Sequence, residues 1–284
     1  MLYNAGIAVL ERLSPHYCWE NLKRRLEFRM KNDLLTIGNF TVHGYGLMIA
    51  IGIIAAYFMA EWRAKRQGLE EKHIFPLLIW GVGFGIVGAK VLYYITILDE
   101  IIQNPKVMLN IADGFVVYGG IIGGILAGFV YCKVKKISFF AYLDLIVPSI
   151  ALAQGFGRLG CFLAGCCYGM EAHTAFAITF TNSAFAPNGV PLVPTQLISS
   201  AFNFANFAVL CLIASRKVSP GKVSACYLIF YSVGRFIIEF FRGDLIRGSV
   251  GALSTSQFIS IFVAIFGVAL LFISHKLEKR SINI

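Results

Sequence analysis

Seven stretches of about 20 apolar residues recur along the chain, and nothing else constrains its fold as strongly. They cover roughly 42–62, 74–98, 114–132, 139–157, 195–215, 223–241 and 257–275. A helix of about 20 residues spans the hydrocarbon core of a bilayer, and inside lipid each backbone amide must be satisfied within its own segment. Of the 284 residues, 57% are hydrophobic and 14% charged, against about 25% charged in a soluble domain. Such a chain cannot solvate its surface in water. The expected fold class is an all-α polytopic membrane protein with seven transmembrane helices.

The net charge of +10 does not mark a nucleic-acid binder, because the basic residues fall in short loops between apolar runs. Loops after segments 1, 3 and 5 and the C-terminal tail hold 13 Lys and Arg: Arg63, Lys65, Arg66, Lys72, Lys133, Lys135, Lys136, Arg216, Lys217, Lys222, Lys276, Lys279 and Arg280. The alternate loops hold 4: Lys106, Arg158, Arg242 and Arg247. The positive-inside rule then places the C-terminus in the cytoplasm and the N-terminus outside. Membrane lipids are the expected partner for the remaining positive charge. No cleavable signal peptide is apparent, so the first spanning helix is expected to direct insertion.

Residues 1–33 carry Arg12, Lys23, Arg24, Arg25, Arg29 and Lys31 among scattered apolar positions. They read as an interfacial amphipathic arm or as an upstream extension with Met30 as the natural start. Residues 34–284 read as one transmembrane domain. The longest loop, 158–194, is rich in small and turn residues and is expected to form a compact external subdomain between helices 4 and 5. Gly81, Gly85 and Gly88 in segment 2, and Gly119, Gly120, Gly123 and Gly124 in segment 3, form small-xxx-small faces suited to close helix contact.

Two constellations carry charge where lipid would forbid it. Gly155-Phe156-Gly157-Arg158-Leu159-Gly160-Cys161 ends segment 4 with an arginine among glycines. A guanidinium fork matches a pair of phosphate oxygens, whereas a mere interfacial anchor would not need such small neighbours. Tyr231, Arg235, Glu239 and Arg242 recur at helical spacing along one stripe of segment 6. Intramembrane charges point to a protein interior or a wet cavity. The stripe reads either as a structural Arg235–Glu239 pair or as an anion site whose arginine is oriented by its own carboxylate, and the second is favoured.

These residues, running from Gly157-Arg158-Leu159-Gly160 to Gly169 and from Tyr231 to Arg242, resemble the prolipoprotein diacylglyceryl transferases of the bacterial inner membrane. Tyr45-Gly46-Leu47-Met48, Gly88-Ala89-Lys90, Asp144 with Pro148, Tyr118-Gly119-Gly120 and Pro194-Thr195-Gln196-Leu197 extend the resemblance in order from about 35 to 275. It implies transfer of the diacylglyceryl group of phosphatidylglycerol to the lipobox cysteine of a prolipoprotein, forming a thioether and releasing glycerol phosphate. It implies catalytic roles for Arg158, Arg235, Tyr118 and Glu239. A substrate-binding set of Arg158, Tyr45, Tyr231, Arg242, Gly169 and Cys161 goes with them, and no cofactor or metal. Two other readings stand beside it: a divergent paralogue lipidating another acceptor, and a lipid or anion transporter, which would be expected to show a repeated half.

The chain departs from the family pattern at three points. Tyr118 stands where the family has an active-site histidine, and a phenol of pKa about 10 is a poor base at neutral pH. Cys161 and Cys166 occupy signature positions that are usually asparagine and glutamate, and Val193 precedes Pro194 in place of histidine. Cys161, Cys166 and Cys167 read as packing cysteines in a tight turn, as a disulfide pair plus one, or as a reactive or metal-binding thiol group. The spacing C-x4-C-C without histidine is a weak metal signal.

Overall fold

The computed structural model describes residues 27–29, 33–37, 40–109, 114–216, 218–244 and 248–282. Most of the expected arm over 1–33 lies outside these residues. The elements in chain order are β1 (Glu27–Arg29), β2 (Asp33–Ile37), β3 (Phe40–His43), α1 (Gly44–Gln67), α2 (Ile74–Thr96), α3 (Leu98–Gln103), α4 (Val117–Lys135) and α5 (Phe139–Ala164). They continue with β4 (Ile178–Thr181), β5 (Pro191–Leu192), α6 (Thr195–Ala214), α7 (Lys222–Glu239), β6 (Ser249–Val250), β7 (Leu253–Ser254) and α8 (Thr255–Ile282).

Six of the helices are long and apolar enough to cross a bilayer: α1, α2 with the short turn before it, α4, α5, α6 and α8. The chain is thus a predominantly helical, multi-pass membrane protein. The expected seventh span, 223–241, is also helical, but α7 carries Lys222, Arg235 and Glu239 in 18 residues and is not among the six. The same charges that suggest a site there reduce its apolar character.

The chain divides into two compact units, residues 57–146 and residues 1–56 with 147–284. In the first, α2 lies against α4 along their glycines. A Cβ at Gly88 would collide with the Gly119 carbonyl, and one at Gly123 with the Phe84 carbonyl. The expected small-residue face is therefore a backbone-to-backbone contact. Arg63 is buried in this unit and donates to the Leu145 carbonyl at 2.5 Å. His73 Nδ1 lies 2.9 Å from the Tyr131 hydroxyl, and Tyr142 Oη donates to Glu70 O at 3.0 Å.

In the second unit, glycines again set helix approach. Gly52 on α1 faces Ala153 and Phe156 of α5, and Gly155 on α5 would strike the Phe204 ring of α6 with any side chain. Ser200 on α6 donates to the Gly155 carbonyl at 2.9 Å. The chain between α5 and α6 carries a small core of Phe180, Ala186 and Leu192 with Phe162, Tyr168, Ile178 and Val190 packed around it. Strand β4 pairs antiparallel with β5 and parallel with β1.

Candidate active site

Arg158 was expected just beyond the end of segment 4. The structure carries α5 seven residues past 157, to Ala164, so the arginine projects from within the helix. The nearby glycines do not break α5 because they serve packing: Gly160 meets Tyr45 and Met48 of α1. The turn comes later, where Gly165 (φ 74°) and Cys167 (φ 61°) adopt the left-handed conformation. The loop of 158–194 accordingly begins at 165.

Arg235 on α7 is held at two points. Its Nη1 lies 2.7 Å from Glu239 Oε2, with side chains 12% and 8% exposed, and its Nη2 donates to Ser256 Oγ at 2.7 Å. Ser256 lies in the first turn of α8, whose start is fixed by a capping box. In it the Gln257 amide donates to Ser254 Oγ and the Ser254 amide to Gln257 Oε1, each at 3.1 Å. Tyr231, one turn before Arg235, stacks on Tyr227 with ring centroids 5.8 Å apart.

Arg242 does not share the helical stripe, because α7 ends at Glu239. It lies in an extended segment bridged antiparallel to Gly169, with Met170 N donating to Phe241 O at 2.8 Å and Gly243 N to Tyr168 O at 3.1 Å. Gly169 and Gly243 permit this pairing, since a Cβ on either would meet backbone. Gly169 thus acts through its backbone. Arg242 forms a two-point pair with Asp244, Nε–Oδ1 2.8 Å and Nη2–Oδ2 2.5 Å. Desolvation opposes its charge, but the bonds it donates to Asp244 and Cys167 outweigh it and raise the guanidinium above its ordinary value.

The bridge brings Arg242 beside the cysteine turn. No disulfide joins Cys161, Cys166 and Cys167, whose sulfurs all lie within 4.8 Å of one another. Hydrogen bonds from Cys161 and Cys166, with Arg242 and Arg158 nearby, hold the Cys167 thiol well below the usual range, while the same bonding pushes Cys166 up. The turn is braced by α6: Thr195 Oγ1 donates to Cys167 O and Gln196 Nε2 to Cys166 O, both at 2.8 Å. Sequence reasoning noted Thr195 and Gln196 only as motif matches and missed Ser256. Buried polar residues at the mouths of apolar helices were the available signal.

Arg158 and Arg242 both lie within electrostatic range of Arg235 and of Cys167. Arg242 has Asp244 and Arg235 has Glu239. Arg158 is half-buried and, among the described residues, has no carboxylate or hydrogen-bond partner. Tyr45 also lies in this unit, within electrostatic range of Arg158 and the three cysteines. Tyr118 stands in the first turn of α4 in the other unit, 42% exposed. Lys90, in that same unit, lies 5.0–5.2 Å from the ring centroids of Tyr93, Tyr94 and Phe115, a cation–π setting.

Three arginines and two carboxylates gathered in a multi-pass membrane protein define an integral membrane protein with a charged, partly covered site. Comparison with known sequences narrows the class. Residues 32–273 match the family described as prolipoprotein diacylglyceryl transferase. The phosphatidylglycerol–prolipoprotein diacylglyceryl transferase of Clostridium tetani is 49% identical over 84% of this chain and 96% of its own length. A second protein of that name, numbered 2, from Clostridium perfringens is 46% identical over 88% and 98%, and one from Finegoldia magna is 35% identical over 85% and 94%. The chain belongs to the prolipoprotein diacylglyceryl transferase family.

Proposed function

We propose that this protein transfers the diacylglyceryl group of phosphatidylglycerol to the lipobox cysteine thiol of a prolipoprotein, leaving a thioether and glycerol phosphate. The observation that carries the reading is the guanidinium of Arg158, unpaired among the described residues, beside the two paired ones. The reaction breaks a C–O bond, and the phosphate departs with the electron pair. Preorganised positive charge where that charge develops lowers the barrier. Arg158 offers a free fork for two phosphate oxygens. Arg235, locked by Glu239 and Ser256, presents its remaining edge without having to reorganise.

Tyr45, Tyr231 and Arg242 shape the headgroup site in this proposal, and Gly169 and Cys161 form its floor at the cysteine turn. The acceptor thiol must lose its proton to attack carbon, since the thiolate is the nucleophile; the Tyr118 hydroxyl relays that proton, accepting one as it gives up its own, and the departing phosphate takes it up. An apolar groove of about 920 Å³, lined by Gly88, Val91, Gly119, Ile122, Gly123 and Leu126 among others, suits an acyl chain entering from lipid. Helix α7 is proposed as a seventh span, tolerated because its charges face one another, and residues 34–284 as one transmembrane domain. The chain around Phe180 forms an external cap, the N-terminus lies outside and the C-terminus in the cytoplasm, which sets the arginines toward the outer leaflet where a translocated precursor arrives.

The test is a mass-spectrometric transfer assay with phosphatidylglycerol and a lipobox peptide. The expected result is a diacylglyceryl mass gain on the peptide cysteine that is absent with Arg158→Ala, while that variant still inserts in the membrane. An active Arg158→Ala protein would overturn the assignment of the phosphate site. Lipid returned chemically intact by the unaltered protein would overturn the transferase reading.

A further inference from the structure

The cysteine turn holds a donor set of which the proposed transfer uses only Cys161, as part of the floor of its site. Cys161 comes from the last turn of α5, while Cys166 and Cys167 come from the reversal that follows, and their three sulfurs lie within 4.8 Å of one another. Zinc–sulfur bonds are about 2.3 Å, so sulfurs sharing a tetrahedral ion sit roughly 3.8 Å apart. The sulfurs therefore need to close by about an ångström at most to share one ion, a movement available to side-chain rotation.

The backbone is set for this independently of the sulfurs. Cys166 N donates to Cys161 O at 3.1 Å, and Gln196 and Thr195 anchor the next two carbonyls. Cys167 is held at φ 61°, a conformation that costs a non-glycine residue about 1 kcal/mol or more and persists only where its surroundings enforce it. A packing role alone would not require three thiols to converge from both sides of the turn.

The donor chemistry selects the ligand. The group contains sulfur alone, with no imidazole or carboxylate among the described residues that form it. Soft thiolates favour thiophilic ions over magnesium or calcium. Three thiolates around a divalent ion leave one net negative charge, and around a monovalent ion two. Arg158 and Arg242 stand close enough to offset the smaller excess.

We infer that Cys161, Cys166 and Cys167 bind one thiophilic divalent cation of the zinc class, in three-sulfur coordination with a fourth position filled from solvent. Three protein ligands and one exchangeable position are the usual arrangement of an open zinc site. The ion would brace the turn that lies beside Arg158 and Arg242.

The experiment uses the full chain in detergent micelles, reduced and stripped with a chelator, then titrated with Cd2+ as an optical probe. The expected result is a sulfur-to-cadmium charge-transfer band that saturates at one equivalent and is displaced by Zn2+. Cys166→Ser and Cys167→Ser each lose the band at one equivalent, and Cys211→Ser keeps it. Because the buried Cys161→Ser variant can fail to fold, the unaltered protein is also alkylated with and without Zn2+, and protection of Cys166 and Cys167 is read by mass. A missing band in the reduced protein, a band that survives both serine variants, or alkylation indifferent to Zn2+ would overturn the site. None of these readouts depends on diacylglyceryl transfer.

Discussion

The Arg235–Glu239 pair tests whether charge inside α7 serves the fold or the chemistry. Both side chains are almost covered, and their closest atoms are 2.7 Å apart. Glu239→Leu removes the counter-charge and leaves a guanidinium covered beside two other arginines. Breaking a buried pair by removing one partner costs about 3–5 kcal/mol, and the surviving bond to Ser256 argues for the lower end. Adding Arg235→Met removes the stranded charge as well. Apolar replacement of a whole buried pair is neutral or stabilising in many proteins, so the double variant is expected to recover most of the loss. Transfer is expected to behave differently. Losing a preorganised donor costs about 10²–10³ in rate, and the double variant should stay that slow. Unfolding in mixed micelles under SDS titration reads stability, and the mass-spectrometric assay reads transfer. A double variant that is both stable and fully active would refute the catalytic role and leave the pair purely structural. An unchanged stability in Glu239→Leu would refute the burial argument itself.

Other outcomes follow from other parts of the chain. Gly88→Val should destabilise the α2–α4 contact by about 1–3 kcal/mol or more, because its Cβ would meet a backbone carbonyl; a lowered thermal unfolding temperature in micelles is the readout. Tyr118→Phe should slow transfer by about 10²-fold if its hydroxyl handles the thiol proton, and Tyr118→His should retain activity with a pH profile shifted toward neutrality. Thr195→Val should lower stability by about 1 kcal/mol through loss of the bond to Cys167 O, with single-turnover transfer least affected when Zn2+ is present.

Much of this fold was legible because lipid leaves few options. Six apolar segments of the right length became spanning helices, and the glycines of segments 2 and 3 met as expected. The errors came where local rules were overruled by packing. Glycines at 155, 157 and 160 suggested a turn, yet α5 continues through them; at Gly155 and Gly160 helix propensity yields to the close approach of α6 and α1. The stripe from Tyr231 to Arg242 suggested one helical face, but the helix stops at Glu239 and the bridge to Gly169 redirects Arg242. Spacing along a chain cannot reveal a strand-like pairing between two loops. For the same reason C-x4-C-C was a weak signal, whereas the folded turn brings all three sulfurs together.

The unequal pairing of the arginines makes one more prediction, and it separates structure from chemistry. Arg242 is 6% exposed, tied at two points to Asp244, and fixed by a backbone bridge. Removing its side chain takes the two-point partner from Asp244, whose side chain is 19% exposed, which should cost up to about 3–5 kcal/mol. Arg158 lacks such ties among the described residues and adds like charge beside Arg235. Arg158→Met should therefore leave stability within about 0.5 kcal/mol of the starting value, or raise it by relieving repulsion. Phosphate binding should show the reverse order, since only an arginine with an unoccupied fork can give both donors to a ligand without breaking an existing pair. Transfer should then fall by about 10²–10³ in Arg158→Met. Arg158→Lys should recover only part of it, because an ammonium keeps the charge and loses the fork. Arg242→Met with Asp244→Leu should regain stability and a substantial share of transfer. If Arg158→Met instead proves as destabilising as Arg242→Met, the unpaired guanidinium is a structural element and the phosphate must be held elsewhere.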